Sequence, residues 1–152
     1  MSPPRRVALL DVNVLVALFD PDHVHHEVAH DWFADRRGLG WATCPLTENG
    51  FLRTASRLPR TREPVAVSAL VHGLRTFTSS GHHEFWTDTV TLLDERLFNA
   101  ELVRGHQQLT DIYLLGLAVK RNGTLATFDQ KMFIAVVKGA RQEHLEVLAP
   151  AE

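Results

Sequence analysis

The sequence predicts an α/β fold, a three-layer sandwich whose mainly parallel sheet of four to five strands is flanked by helices. Three observations predict it. Short β-forming runs alternate along the chain with segments whose apolar residues recur at helical spacing. The first of those runs is apolar throughout, as expected of a parallel strand covered on both faces. The chain has 152 residues, 45% of them hydrophobic and 22% charged. That suits one domain spanning residues 1–152, with about 68–70% of its unfolded surface buried.

Val7, Ala8, Leu9 and Leu10 form the first strand, which ends at Asp11. Val12, Val14, Leu15, Val16, Leu18 and Phe19 continue the apolar pattern too far for one strand, so a short helix follows and Pro21 stops it. From His25 to Arg37 the residues Val28, Ala29, Trp32 and Phe33 mark an amphipathic helix that Gly38 terminates. Trp41 to Cys44 is the second strand, and Pro45 suits the first turn of the helix that carries Glu48, Phe51, Leu52 and Ala55. An arginine-rich loop from Arg57 to Pro64 comes next. Val65 to Phe77 is a further helix with Val67, Leu70, Val71 and Leu74 on one face. Glu84 to Thr87 is a weaker third strand, and Leu92 to Val103 is helical or irregular. Thr110 is placed to cap a helix from Asp111 to Lys120, with Ile112, Leu115 and Val119 inward, ended by Asn122-Gly123. Thr124 to Thr127 is the fourth strand, with Asp129 just past it. Met132 to Val137 is a short helix, and Leu145 to Leu148 a fifth strand.

Composition excludes several functions. A net charge of −2 is incompatible with gripping nucleic acid by bulk charge alone, though not with a local basic patch. Cys44 is the single cysteine, so there is neither an internal disulfide nor a thiolate zinc cage, and a reducing, cytoplasmic setting is expected. No apolar run reaches the roughly 18 residues of a membrane span. Met1 to Arg6 lacks the pattern of a signal peptide. No glycine-rich phosphate loop is present.

In a parallel α/β sheet, strand C-termini and helix N-termini share one edge, where ligand sites form. Four acids fall there: Asp11 after the first strand, Glu48 in the first turn after the second, Asp111 opening the helix before the fourth, and Asp129 beyond it. Helix-dipole pairing or capping would account for Glu48, Asp111 or Asp129 taken singly. Asp11 is different, because an acid inside an apolar run is partly buried and needs a partner. No lysine or arginine lies within three residues of Asp11, Glu48 or Asp111, and Lys131 alone neighbours Asp129. Several carboxylates together require a cation to ionise. An all-oxygen set suits Mg²⁺ or Mn²⁺, in one-metal or two-metal form, and points to hydrolysis of a phosphate ester or diester.

These residues also resemble a known family. Leu9-Leu10-Asp11-Val12-Asn13-Val14-Leu15 is similar to the first motif of PIN-domain nucleases. Thr47-Glu48 matches the second acid, Thr110-Asp111-Ile112-Tyr113-Leu114 the third, and Ala126-Thr127-Phe128-Asp129 the fourth. Within that family the chain resembles the VapC-type toxins of bacterial toxin–antitoxin pairs. The resemblance implies a metal-dependent endoribonuclease using Mg²⁺ or Mn²⁺, an RNA substrate, a small cognate antitoxin and a homodimer. It implies Asp11, Glu48, Asp111 and Asp129 as metal-binding catalytic acids, with Asn13, Thr110 and Thr127 as supporting polar groups. In-line attack by water would leave a 5′-phosphate and a 3′-hydroxyl.

Arg53 and Arg57, four apart on one helix and followed by Arg60 and Arg62, are the candidate RNA contacts, against the plainer reading of a solvated charged face. His23, His25, His26 and His30 lie beside or opposite their helix's apolar stripe and are expected on an exposed face; His82 and His83 read as loop. Two other functions compete. A phosphatase of the haloacid-dehalogenase type needs a second acid two residues after the first, where this chain has Asn13. A non-catalytic, receiver-like metal-binding module pairs acids beside the first strand and has a phosphoacceptor after the third, for which Thr87-Asp88 is a poor match.

Overall fold

The computed structural model describes residues 6–58 and 65–149. Arg60 and Arg62 lie outside the described residues. Five strands form one all-parallel sheet in the order β3-β2-β1-β4-β5. They are β1 (Ala8–Leu10), β2 (Trp41–Thr43), β3 (His83–Phe85), β4 (Thr124–Thr127) and β5 (Leu145–Val147). The helices are α1 (Val12–Phe19), α2 (His26–Arg36), α3 (Pro45–Ala55), α4 (Val67–Thr78) and α5 (Leu109–Lys120).

Side chains alternate across the central strand and so divide the core in two. Ala8 and Leu10 of β1 face one layer, packed with Val14, Leu15, Phe33, Trp41, Phe51, Ala55 and Leu74 from β2 and α1 to α4. Leu9 faces the other, packed with Leu125, Ile112, Leu114, Leu115, Leu117 and Trp86. Helix α5 is buried almost continuously from Ile112 to Ala118, because it lies between the sheet and the chain around Phe98 and Val136. This is the expected three-layer sandwich. Among the described residues, no helix is long and apolar enough to cross a membrane.

Most elements fall within a residue or two of expectation. The third strand begins earlier, so His83 belongs to β3 and not to a loop. Leu92 to Val103 is irregular apart from a single 3₁₀ turn at Ala100–Leu102. The helix expected over Met132 to Val137 is reduced to the 3₁₀ turn Ile134–Val136. Val67 stays exposed at the start of α4, where Leu74 supplies the buried contact. Thr110 does not cap α5. The helix begins one residue before it, leaving Thr110 in the first turn with no side-chain cap at Gln108.

The strand order reverses beside β1: β2 lies on one side of it and β4 on the other. Chains leaving β1 and β4 diverge there, opening a crevice at the C-terminal edge. Helix α3 closes one side of that crevice through Gly50, where an added Cβ would come within 2.6 Å of Val12 Cγ2 on α1. Valine is stiff at χ1, so the helices would have to separate. Gly50→Ala is therefore expected to lower stability by about 1–3 kcal/mol, the usual range for overpacking, measured as a reduced midpoint in urea unfolding.

Candidate active site

Parallel pairing sets Leu10 beside Ala126, so the next residues, Asp11 and Thr127, emerge side by side. The backbone ladder continues one step through Asp11 N–H to the Ala126 carbonyl at 2.9 Å. Thr127 Oγ1 then donates to Asp11 Oδ2 at 2.7 Å, and the Val12 amide donates to Oδ1 at the same distance. The second bond makes Asp11 the N-cap of α1. Asp11 is thus a strand terminator, a helix cap and a buried carboxylate at once. Burial raises its pKa, with Asp129 adding repulsion, while the Thr127 and Val12 bonds pull it back down.

Asn13 lies in the first turn of α1, next to the Asp11 cap. Its Nδ2 donates to Thr127 Oγ1 at 3.3 Å and its Oδ1 accepts from the Phe128 amide at 3.4 Å. Thr127 Oγ1 also accepts from the Asp129 amide at 3.1 Å. These bonds fasten the turn after β4 to the start of α1, and they place Asp129 beside Asp11.

Asp111 arrives from the opposite core layer, in the first turn of α5. Its pKa is pushed up to about 7, first by burial, then by the charges of Asp11 and Asp129, then by a hydrogen bond with Asp129. Asp111, beside Asp129, therefore holds its proton to higher pH than an isolated carboxyl does. Among the described residues, neither they nor Asp11 forms an ion pair with a lysine or arginine. Lys131 reaches Asp129 through its backbone amide.

Asp11 and Asp111 border a cavity of about 470 Å³ together with Asn13, His23, Gly50, Arg53, Thr54 and Thr110. Arg53 therefore stands at the acidic crevice, whereas Arg57 is exposed and does not line this cavity. Thr110 lines the cavity beside the acid that follows it.

Glu48 is held differently. Its Oε2 accepts a 2.7 Å bond from Thr43 Oγ1, and it lines a separate cavity with Val71, Leu74 and Arg75. Thr43 is completely buried, and its oxygen lies 2.8 Å from His83 Nε2. Since the only Thr43 hydroxyl proton goes to Glu48, His83 must donate, which puts its ring proton on Nε2. Burial lowers the pKa of His83, keeping the ring neutral. The structure thus brings Asp11, Asp111 and Asp129 together and anchors Glu48 on the neighbouring β2–β3 side of the rim.

Sequence reasoning missed three participants: Thr43, His83 and His23. Thr43 was a clue, being a polar residue in a strand otherwise built for full burial. The dense histidines are also less exposed than expected. His26 Nδ1 donates to the Ala17 carbonyl at 2.7 Å, and His25 stacks on Phe128 with ring centres 4.8 Å apart. His30 remains exposed, as does His106.

A parallel sheet with a crossover crevice and an acidic rim from separate segments defines the class. The PIN domain family matches residues 8–139, and the chain belongs to that family, in its VapC-type branch. It is 44% identical over 141 residues to ribonuclease VapC44 of Mycobacterium tuberculosis, covering 93% of this chain and 99% of that protein. Ribonuclease VapC39 of the same organism is 40% identical over 122 residues, covering 80% and 88% of the two chains. The fold is shared with the crystal structure of VapBC2 from Rickettsia felis bound to a DNA fragment from their promoter. That match has a TM-score of 0.57 and 16% identity, over 94% of this chain and 99% of the other.

The raised Asp111 pKa has a consequence for stability. Between the unfolded value of 3.8 and the folded value of about 7, the folded chain keeps a proton that the unfolded chain releases. Folding is then progressively disfavoured as pH rises through that window, with the full penalty above it. In metal-free buffer, the wild-type Tm is expected to fall relative to that of Asp111→Asn between pH 5 and pH 8. Thermal scans across that range check it.

Proposed function

We propose that this chain, as a single nuclease domain, is an endoribonuclease and the toxin of a toxin–antitoxin pair. A small cognate antitoxin would hold it in check, and a second copy would complete a homodimer. The single observation that carries the catalytic reading is geometric: Asp11 and Asp111 line one cavity, and Thr127 ties Asp129 to Asp11, with no lysine or arginine ion pair to any of the three among the described residues. Carboxylates grouped without a counter-charge mark a place where a cation is wanted. The similarity to ribonucleases VapC44 and VapC39 supports RNA as the substrate.

Mg²⁺ or Mn²⁺ fits these residues. Among the described residues, no three acids, imidazoles or thiols stand together as a group able to hold a metal ion by themselves, so the protein would supply only part of the coordination. An open site of one or two carboxylates plus substrate phosphate is how Mg²⁺ is commonly bound. Asp11, Asp111 and Asp129 would hold the ion, with Glu48 as the fourth acid of the rim. When bound, it would supply counter-charge to the phosphodiester and lower the pKa of a coordinated water.

The chain's own residues do the rest. Thr127 and Asn13 fix the orientation of Asp11, so its carboxylate needs no rearrangement to act. Asp111 would give up its proton once a cation offset the charges of Asp11 and Asp129. Thr43 steadies Glu48. Arg53 offers a planar cationic donor at the mouth of the cavity that contains Asp11, positioned for a backbone phosphate. Thr110 adds a hydroxyl at the same wall. The competing phosphatase reading finds no support at Asn13, whose amide is committed to Thr127 and Phe128.

Purified protein, a mixed RNA pool, Mn²⁺ or Mg²⁺ and a chelator control test the proposal. Cleavage is expected with either ion, is lost with chelator, and leaves 5′-phosphate ends. Asp11→Asn, which removes charge at nearly constant volume, is expected to lower cleavage by about 100-fold or more, beyond what loss of a supporting contact costs. Cleavage that persists in chelator, or equal cleavage by Asp11→Asn, overturns the mechanism. Arg53→Gln is expected to raise KM and to flatten the salt dependence of log KM by about one phosphate contact. Titrating KM between 50 and 200 mM salt measures it.

A further inference from the structure

The loop joining α1 to α2 carries a histidine that the acid site does not account for. Its conformation is well tied down. Asp20 Oδ1 accepts from the Asp22 amide at 3.0 Å, His26 bonds to the Ala17 carbonyl, and His25 stacks on Phe128, the neighbour of Asp129. The loop is therefore held against the same turn that positions the acids. Between these anchors His23, half-buried, lines the cavity shared by Asp11, Asp111 and Arg53.

The two ring nitrogens of His23 have different fates. Nδ1 accepts the His25 amide at 3.0 Å. An accepting Nδ1 carries no hydrogen, so the ring proton is on Nε2. Nε2–H has no partner among the described residues. A fixed ring thus brings an unused, uncharged donor to the wall of an acidic cavity. The carboxylates on that wall only accept; beyond the Thr54 and Thr110 hydroxyls, donors for a polyanion are scarce. Arg53 is one and His23 is another.

Resting on the ribonuclease reading above, we infer that His23 is a substrate-positioning residue whose Nε2–H donates to an RNA backbone phosphate next to the one that is cut. Because the donor is uncharged, it orients the strand without adding to long-range attraction. Because phosphate is its target, it acts alike on every sequence the enzyme accepts.

Two substitutions separate this role from a structural one. His23→Asn keeps an acceptor for the His25 amide, in the side-chain turn Asp20 already makes, and removes the Nε2 donor. His23→Gln keeps a donor near Nε2 and loses the Nδ1 acceptor. KM, kcat and Tm are measured for both with the mixed RNA pool and Mn²⁺. His23→Asn is expected to raise KM about three- to tenfold, the value of one uncharged hydrogen bond. Its kcat and Tm should stay near wild type, and its salt dependence should be unchanged, unlike that of Arg53→Gln. His23→Gln is expected to lower Tm while holding KM within about twofold. A wild-type KM for His23→Asn, or an effect confined to Tm in both variants, overturns the assignment while the nuclease reading stands. If the wild-type protein leaves the RNA uncut, the nuclease reading fails and the role of His23 falls with it.

Discussion

The in-register pairing of β1 with β4 is the constraint on which the site rests. It puts Asp11 and Thr127 next to each other at the end of two parallel strands, where the ladder runs out and side chains must complete the bonding. A buried carboxylate at that point would be costly if unpartnered. Here it accepts from a strand hydroxyl and from the first amide of α1. Those bonds stabilise the charge of one acid while the fold moves two more toward it. Opposed effects on neighbouring groups are how a protein keeps acids with different protonation in one place.

The rim is organised as two hydrogen-bonded groups separated by the strand order. On the β1–β4 side, Asp11, Thr127, Asn13 and Asp129 form a connected set, with Asp111 reaching in from the other core layer. On the β2–β3 side, His83, Thr43 and Glu48 form a short chain anchored on a fully buried hydroxyl. Helix α3 belongs to both, since it carries Glu48 on one side and Gly50 and Arg53 along the cavity of Asp11 on the other. The contact between Gly50 and Val12 therefore matters for geometry as well as packing: it sets how near Arg53 stands to the acids.

The loop between α1 and α2 shows how a polar segment becomes part of a site without contributing to the core. Asp20, His25 and His26 each use a side chain to hold backbone or aromatic neighbours, and the ring of His23 is oriented as a by-product. Such preorganisation lowers the entropy lost when a ligand is bound.

The sequence by itself determined the alternation of strands and helices, the five strands, the depth of Asp11 and the position of each acid just past a strand or in the first turn of a helix. Those features are local: apolar runs, helix periodicity and breakers act within a few residues, and a carboxylate among apolar neighbours is visible without coordinates. The four motifs resembling PIN nucleases likewise depend on chain order alone. Tertiary structure decided what depends on neighbours remote in the chain. The raised pKa of Asp111 needs α5 and the turn after β4 to meet at a set distance. The turning of Glu48 toward Thr43 and His83 requires β3 to pair with β2. The tautomer of His23 depends on one backbone amide, and the early start of α5 removed the cap expected at Thr110. Pairwise electrostatics and hydrogen bonds change over a few ångströms, and separations of that size are set by packing between elements that the local pattern does not encode.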